Sequence, residues 1–178
     1  MDDIADKLGC SKKTLYVFFE NRKDLVLKVI SNDMKKHELD ISNVIAEKLH
    51  PIEEILSLNV IAINKLKTCH PSFQYDLKKY YPQSWNIFDK KNRQLTYKVS
   101  IQNLKKGIKE GCYRKEINPE IISKIFSEKI DVIFNSLAFE AINVSFSDVY
   151  KELINHHVLG IVNEEGRKYY LNFQKTTK

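Results

Sequence analysis

The residues with the clearest chemical potential lie in a short basic segment near the N-terminus, residues 12–17. On a helix that turns about 100° per residue, Leu15 and Phe19 share one face, and Lys13 and Val17 point the opposite way. Lysine can bind phosphate or guanine acceptors, and a small apolar group can contact the methyl group of thymine. The outward face of this segment therefore suits the major groove of DNA.

Hydroxyl groups and further cations surround that face. Thr14 and Tyr16 lie on its two sides, where their hydroxyls suit phosphate oxygens. Arg22 and Lys23 stand at the start of the next predicted helix and could clamp the DNA backbone. A helical hairpin with a solvated basic face would show the same pattern. Periodicity and turn chemistry alone leave both interpretations open.

The elements that would position these residues are two short helices joined by a glycine turn. Ile4 and Leu8 are four residues apart and therefore share a face of the first helix. Gly9 is expected to end that helix, and Ser11 is expected to cap the second, which runs from residue 12 to about residue 19. A helix, a glycine turn and a second helix that reads DNA form the layout of a helix-turn-helix.

Helix signals also dominate the rest of the chain. Asn21, with Asp24 three residues later, resembles a capping box and begins a helix that we expect to run to about Leu49. Ser147 is expected to cap a helix that ends at about Val162. The tail is left open, with an extended segment at residues 169–173 as one option. The further predicted helices cover residues 52–68, 71–80, 82–111, 119–141 and 147–162, with an extended connector at 112–117. The sequence therefore predicts an all-α chain.

The N-terminal residues resemble the signature of the tetracycline-repressor (TetR) family. The resemblance is carried by Asp3-Ile4-Ala5, Leu8-Gly9-Cys10-Ser11, Thr14-Leu15-Tyr16, Phe19 and Leu25. It implies a dimeric, all-helical repressor in which the helix-turn-helix precedes a variable ligand-binding domain. It also implies which residues lie at the DNA: Ser11, Lys12, Lys13, Thr14 and Tyr16, with Arg22 near a phosphate.

The chain departs from that family in two respects. Lys13 stands where the family usually has glycine or another small residue, a change that an outward face should tolerate. The family also places a whole helix before the segment that begins here at Met1. We therefore expect an incomplete DNA-binding domain. Three explanations are open: residues upstream are missing from the sequence, the start site is misassigned, or the protein has lost DNA binding.

Two functional regions are expected. Residues 1–25 would form the helix-turn-helix, and residues 26–178 would form a helical domain for ligand binding and dimerisation. Aromatic side chains could line a ligand cavity, or they could be ordinary core and surface residues. The candidate cavity residues are Trp85, Phe88, Tyr97 and Phe126, with Asn64 or His70 as polar contacts. The helices at 119–141 and 147–162 could form a four-helix interface in a homodimer, or they could close the core of the monomer.

Other classes of function lack support in the sequence. The net charge of +6 permits a nucleic-acid partner without identifying one. Cys10, Cys69 and Cys112 are far apart, which indicates reduced thiols in the cytoplasm and neither disulfides nor a zinc site. Glu152 with His156-His157 lacks a third metal ligand. No catalytic motif, signal peptide or membrane span is evident. We therefore expect no enzyme activity, metal, cofactor or membrane partner.

The sequence as a whole predicts a transcriptional repressor. It would bind a DNA operator as a homodimer and respond to a small-molecule effector. Effector binding would favour a dimer geometry whose reading helices no longer match half-sites about 34 Å apart. The alternative is a helical small-molecule-binding or interaction protein that has lost DNA binding.

Overall fold

The computed structural model describes residues 1–68, 70, 72–134 and 144–176. Within these ranges the backbone forms helices and no strand, and its one isolated β-bridge joins Tyr113 to Val162. The helices are α1 (Asp2–Leu8), α2 (Lys12–Phe18), α3 (Arg22–Ala46), α4 (Pro51–Thr68), α5 (Phe73–Tyr80), α6 (Pro82–Lys109), α7 (Pro119–Phe134), α8 (Phe146–Ile161) and α9 (Glu164–Thr176). The predicted all-α class is confirmed.

Local start signals in the sequence explain most of these boundaries. Ser11, Asn21 and Asn118 each accept a hydrogen bond from the backbone N–H three residues later, at 3.0–3.1 Å. Such bonds satisfy one of the backbone donors that the first turn of a helix leaves without a partner. Pro51 and Pro82 occupy the first positions of α4 and α6, where proline loses no helical hydrogen bond. The predicted caps Ser11 and Asn21 are confirmed.

The start of α8 corrects one expectation. Its cap is Ser145 and not Ser147, because the Ser145 hydroxyl accepts the backbone N–H of Asp148 at 3.2 Å. Ser145 and Asp148 have the spacing of a capping box, with the acidic side chain three residues after the hydroxyl. Ser147 therefore lies inside the first turn of α8. The predicted helix at 119–141 is described only to residue 134, and the expectations for Cys69 and Pro71 lie outside the described residues.

The C-terminal tail is helical, and an extended segment at residues 169–173 is wrong. The side chain of Asn163 accepts the backbone N–H of Gly166 at 3.0 Å and so begins α9. Glu164 and Glu165 then place negative charge in the first turn, where the helix dipole favours it. Asn163 is not among the helix starts predicted from the sequence above.

A buried polar cluster fixes α4 against α6. Tyr113 is fully buried, and its hydroxyl lies 2.9 Å from Asn103 Oδ1 and 3.1 Å from the Pro51 carbonyl oxygen. Asn103 Nδ2 donates to the same Pro51 carbonyl at 2.9 Å, and Lys106 Nζ lies 2.6 Å from the Glu54 carboxylate. Buried polar groups are tolerated when they are hydrogen-bonded to one another. These bonds place the end of α6 beside the start of α4, so the two helices run antiparallel.

The described helices include none long and apolar enough to cross a membrane.

Candidate functional site

The outward face of α2 carries the side chains that the sequence analysis selected. Leu15 is buried, with 5% of its surface exposed, whereas Lys13, Thr14 and Tyr16 are exposed. Val17, in the middle of the same face, is 74% exposed. The predicted orientation of this helix is confirmed. Its surface offers a cation, two hydroxyls and a small apolar group.

The inner side of the helical hairpin buries Ala5 of α1 and not Leu8. Leu8 shares a face with Ile4 by spacing, but it is 66% exposed, and Ala5 is the buried residue of α1. Gly9 adopts a left-handed conformation directly after Leu8 and turns the chain away at that point. Phe19 is half-buried, and the Lys28 ammonium lies 5.6 Å from the centre of its ring.

Three of the candidate DNA contacts have partners within the hairpin. The Ser11 hydroxyl lies 2.8 Å from that of Thr14, in addition to capping α2. Lys12 Nζ lies 3.0 Å from the Asp2 carboxylate, a bond that lowers the pKa of Asp2 and raises the pKa of Lys12. Both side chains are exposed, and exposed ion pairs are weak. A phosphate could therefore replace Asp2 as the partner of Lys12.

A hydrogen-bonded corner formed by Lys28 and Asp24 joins α2 to α3, and the sequence did not predict it. Lys28 Nζ donates to the Phe18 carbonyl at 3.0 Å and to the Asp24 carboxylate at 2.8 Å. Asp24 also accepts the backbone N–H of Glu20 at 3.0 Å. The bonds from Lys28 and Glu20 lower the pKa of Asp24. These bonds hold the end of α2 at the start of α3, where Arg22 is exposed.

A cavity of about 370 Å³ lies among the helices that follow. Its volume is at the lower end of the range typical of small-molecule sites. The apolar part of its wall comes from α3 to α7 and includes Val29, Ile30, Ile41, Ile55, Leu58, Ala62, Phe73, Trp85, Phe88, Val99 and Phe126. The polar part consists of Asp33, His37, Asn59, Lys65, Gln74, Asn92, Thr96, Ser100, Asn103 and Tyr150.

Some polar groups in the wall are deeply buried. The Tyr150 hydroxyl donates to Asn59 Oδ1 at 2.8 Å, and Asn59 Nδ2 donates to the Ile55 carbonyl at 2.6 Å. Burial raises the pKa of Tyr150, which keeps the phenol neutral. Ser100 is 7% exposed, and its buried hydroxyl has no hydrogen-bond partner among the residues that the structure describes.

Charged groups occupy a more exposed part of the wall. Lys65 Nζ lies 2.7 Å from the carboxylate of Asp33, whose side chain is 52% exposed. The Lys65 ammonium also lies 5.9 Å from the centre of the Phe88 ring. Burial, and then the charge of Lys65, lower the pKa of His37, so its ring is neutral at pH 7.

Comparisons with known proteins show which sequences and folds the chain resembles. No family model matches the chain. The chain is 24% identical over 138 residues to the uncharacterized HTH-type transcriptional regulator YvaF of Bacillus subtilis, covering 76% of this chain and 70% of YvaF. Its fold is similar to that of the ketosteroid transcriptional regulator KstR2 of Mycobacterium tuberculosis, with a TM-score of 0.61, 17% identity and coverage of 91% and 84% of the two chains. It is also similar to the fatty acid degradation regulator FadR of Bacillus halodurans, with a TM-score of 0.64, 16% identity and coverage of 86% and 80%.

The chain shares the fold of these two solved structures. The resemblance seen in the first 25 residues is thereby confirmed at the level of the fold. The DNA contacts that the resemblance implied for single residues remain predictions.

The wall of the cavity contains three of the six residues proposed for it. Trp85, Phe88 and Phe126 line the wall. Their aromatic character was the signal in the sequence, because large aromatic side chains are typical of such walls. Whether they bind a ligand remains a prediction.

The other three residues lie outside the cavity, and the prediction is corrected for Asn64, His70 and Tyr97. Asn64 is exposed on α4, two positions beyond the lining residue Ala62. His70 is exposed and is bonded to Ser72 at 2.9 Å. Tyr97 lies on a neighbouring face of α6 and lines a separate, more open depression against α7. Spacing alone does not reveal which face of a helix meets its neighbours.

Proposed function

We propose that the chain is a DNA-binding transcriptional regulator that acts as a repressor. The observation that carries the proposal is the exposed face of Lys13, Thr14 and Tyr16 on α2, which rests on buried Leu15. The name of its relative YvaF, an HTH-type transcriptional regulator, supports the same function. Residues 1–25 act as the DNA-reading unit in this proposal, and residues 26–178 act as the effector-binding and dimerisation unit.

In this proposal, some side chains of the DNA-reading unit contact bases and the others contact phosphates. Lys13 and Val17, on the centre of the exposed face, contact base edges in the major groove. Hydroxyls and cations around that face contact the DNA backbone, which fixes the register of the helix. These backbone contacts are Ser11, Lys12, Thr14, Tyr16, Arg22 and Lys23.

A single continuous helix links the two units. α3 begins beside α2 at the corner of Asp24 and Lys28, and Ile30, Asp33 and Ile41 of the same helix line the cavity. A molecule that shifts α3 from within the cavity therefore also shifts α2. The effector acts by favouring one of two dimer geometries, and only one of them matches half-sites about 34 Å apart.

Dimerisation through α7 and α8 completes the proposal. Ile121 and Ile125 are a turn apart on α7 and are both exposed, and a second copy of the chain would cover them. The chain acts in the cytoplasm and has no catalytic role in this proposal. KstR2 and FadR, which share this fold, are both named as regulators, and this agrees with a regulatory rather than a catalytic role.

The proposal is tested by measuring binding of the chain to the DNA segment upstream of its own gene. Fluorescence anisotropy is expected to give tighter binding to this duplex than to an unrelated duplex of equal length. Affinity for both should fall steeply between about 50 and 200 mM salt, because binding to phosphates releases counterions. Equal affinity for the two duplexes, or no binding to either, would favour a helical binding protein without a DNA-reading function.

A further inference from the structure

The two ends of the cavity differ in chemistry, and the helix packing orients them. Asn103 contacts Pro51 at the start of α4, whereas Lys65 near the end of α4 contacts Phe88. The lining positions of α6 run from residue 85 to residue 103, a distance of about 27 Å along the helix axis. The cavity is therefore elongated, with Ser100 toward one end and Lys65 toward the other.

The end at Lys65 is open and electrically balanced. The Lys65 ammonium already pairs with the Asp33 carboxylate at 2.7 Å. Lys65 and Asp33 are the only charged residues in the described part of the wall, so their charges cancel. His37 beside them is neutral at pH 7 because burial lowers its pKa. A carboxylate ligand would have to displace Asp33 to gain a cation. This end therefore offers little to an anionic head group.

The end at Ser100 is closed, uncharged and short of one hydrogen bond. Asn59 and Tyr150 are hydrogen-bonded to each other, whereas the buried Ser100 hydroxyl has no partner in the described part of the chain. A buried hydroxyl without a partner is unfavourable, and native proteins seldom leave one. Because Ser100 lines the cavity, a ligand can supply the missing partner. A hydroxyl can both donate and accept, so an alcohol or a carbonyl oxygen would suit it.

We propose that the cavity takes an elongated, uncharged molecule whose alcohol or carbonyl oxygen binds the Ser100 hydroxyl at the closed end. This inference rests on the effector-binding function proposed above and narrows it to a chemical class. The apolar body of the molecule contacts Ile55, Leu58, Val99 and Phe126. The paired charges of Asp33 and Lys65 remain at the open end.

Trp85 allows a direct test, because it is the only tryptophan in the chain and it lines the cavity. Its emission is measured while the full chain is titrated with decanol and, separately, with decanoate. Decanol is expected to shift the emission and to bind at least tenfold more tightly than decanoate. Ser100→Ala is expected to weaken decanol binding by about two- to tenfold, the effect of one hydrogen bond.

Ser123→Ala is the matched control. Ser123 is likewise buried, and its hydroxyl has no hydrogen-bond partner within the described ranges, but it lies outside the cavity wall. Decanol binding to this variant is expected to equal that of the unchanged protein.

The possible outcomes separate the inference from the proposed function. Decanoate binding as tightly as decanol would overturn the uncharged class, and equal decanol binding by Ser100→Ala would overturn the Ser100 contact. Failure of both probes to bind a chain that still binds the upstream DNA would overturn the inference and leave DNA recognition intact. Decanol binding that depends on Ser100, in a chain that binds no DNA, would support the inference and refute the proposed function as a DNA-binding regulator.

Discussion

Replacing Lys13 and Tyr16 together by alanine is expected to weaken binding to the upstream DNA by at least tenfold. Both side chains are exposed on α2, and neither supports the helix from beneath, which is the role of Leu15. A good base contact contributes about 1–3 kcal/mol, and loss of a phosphate contact also lowers the salt dependence of binding. Fluorescence anisotropy measures the affinity, and circular dichroism measures the helix content, which should stay unchanged.

A matched pair of substitutions serves as the control. Lys36→Ala with Tyr75→Ala removes the same two residue types from exposed positions on α3 and α5. This variant should bind the DNA like the unchanged protein. Equal affinities for the two double variants would mean that α2 does not read the DNA.

Gly166→Ala is expected to destabilise the fold by about 3 kcal/mol, which lowers the melting temperature by roughly 10 °C in a protein of this size. A Cβ atom at this position would lie 2.1 Å from the carbonyl oxygen of Cys112. That oxygen belongs to the backbone and also accepts the N–H of Asn163 at 3.2 Å, so it cannot move independently. The helix α9 would have to shift away from the connector before α7. Thermal denaturation followed by circular dichroism measures the effect.

Gly160→Ala provides the comparison, because an added Cβ there meets nothing within 4 Å. Alanine is favoured over glycine inside a helix by up to about 1 kcal/mol, so this variant should be at least as stable as the unchanged protein. Gly107→Ala should resemble Gly166→Ala, since its Cβ would lie 2.2 Å from the buried ring of Tyr113. If all three variants melted at the same temperature, the close packing at Gly107 and Gly166 would be refuted.

The helix α2 and its exposed face could be predicted from the sequence because their signals are local. The Ser11 cap, the Gly9 turn and the spacing of Leu15 all act within a few residues. These signals do not depend on how the remaining helices pack. The exposure of Leu8 could not be predicted for the opposite reason: it depends on where the chain goes after Gly9.

The cavity could be predicted only in part because it depends on long-range packing. Tyr150 and Asn59 are 91 residues apart in the chain and hydrogen-bond in its wall, and no spacing rule relates them. Ser100 carries no distinguishing signal in the sequence, since a serine within a helix is usually exposed. Tyr97 had the aromatic character of a cavity residue but lies on the wrong face of α6.

The most direct test of the central claim is site-specific photocrosslinking to the upstream DNA. A benzophenone amino acid replaces Val17 at the centre of the exposed face of α2, and a second variant carries it in place of exposed Leu171 on α9. We expect crosslinks to bases from position 17, in two clusters about one or more DNA turns apart, and none from position 171. Crosslinks from position 171, or none from position 17 while DNA is bound, would contradict the assignment of α2 as the reading helix.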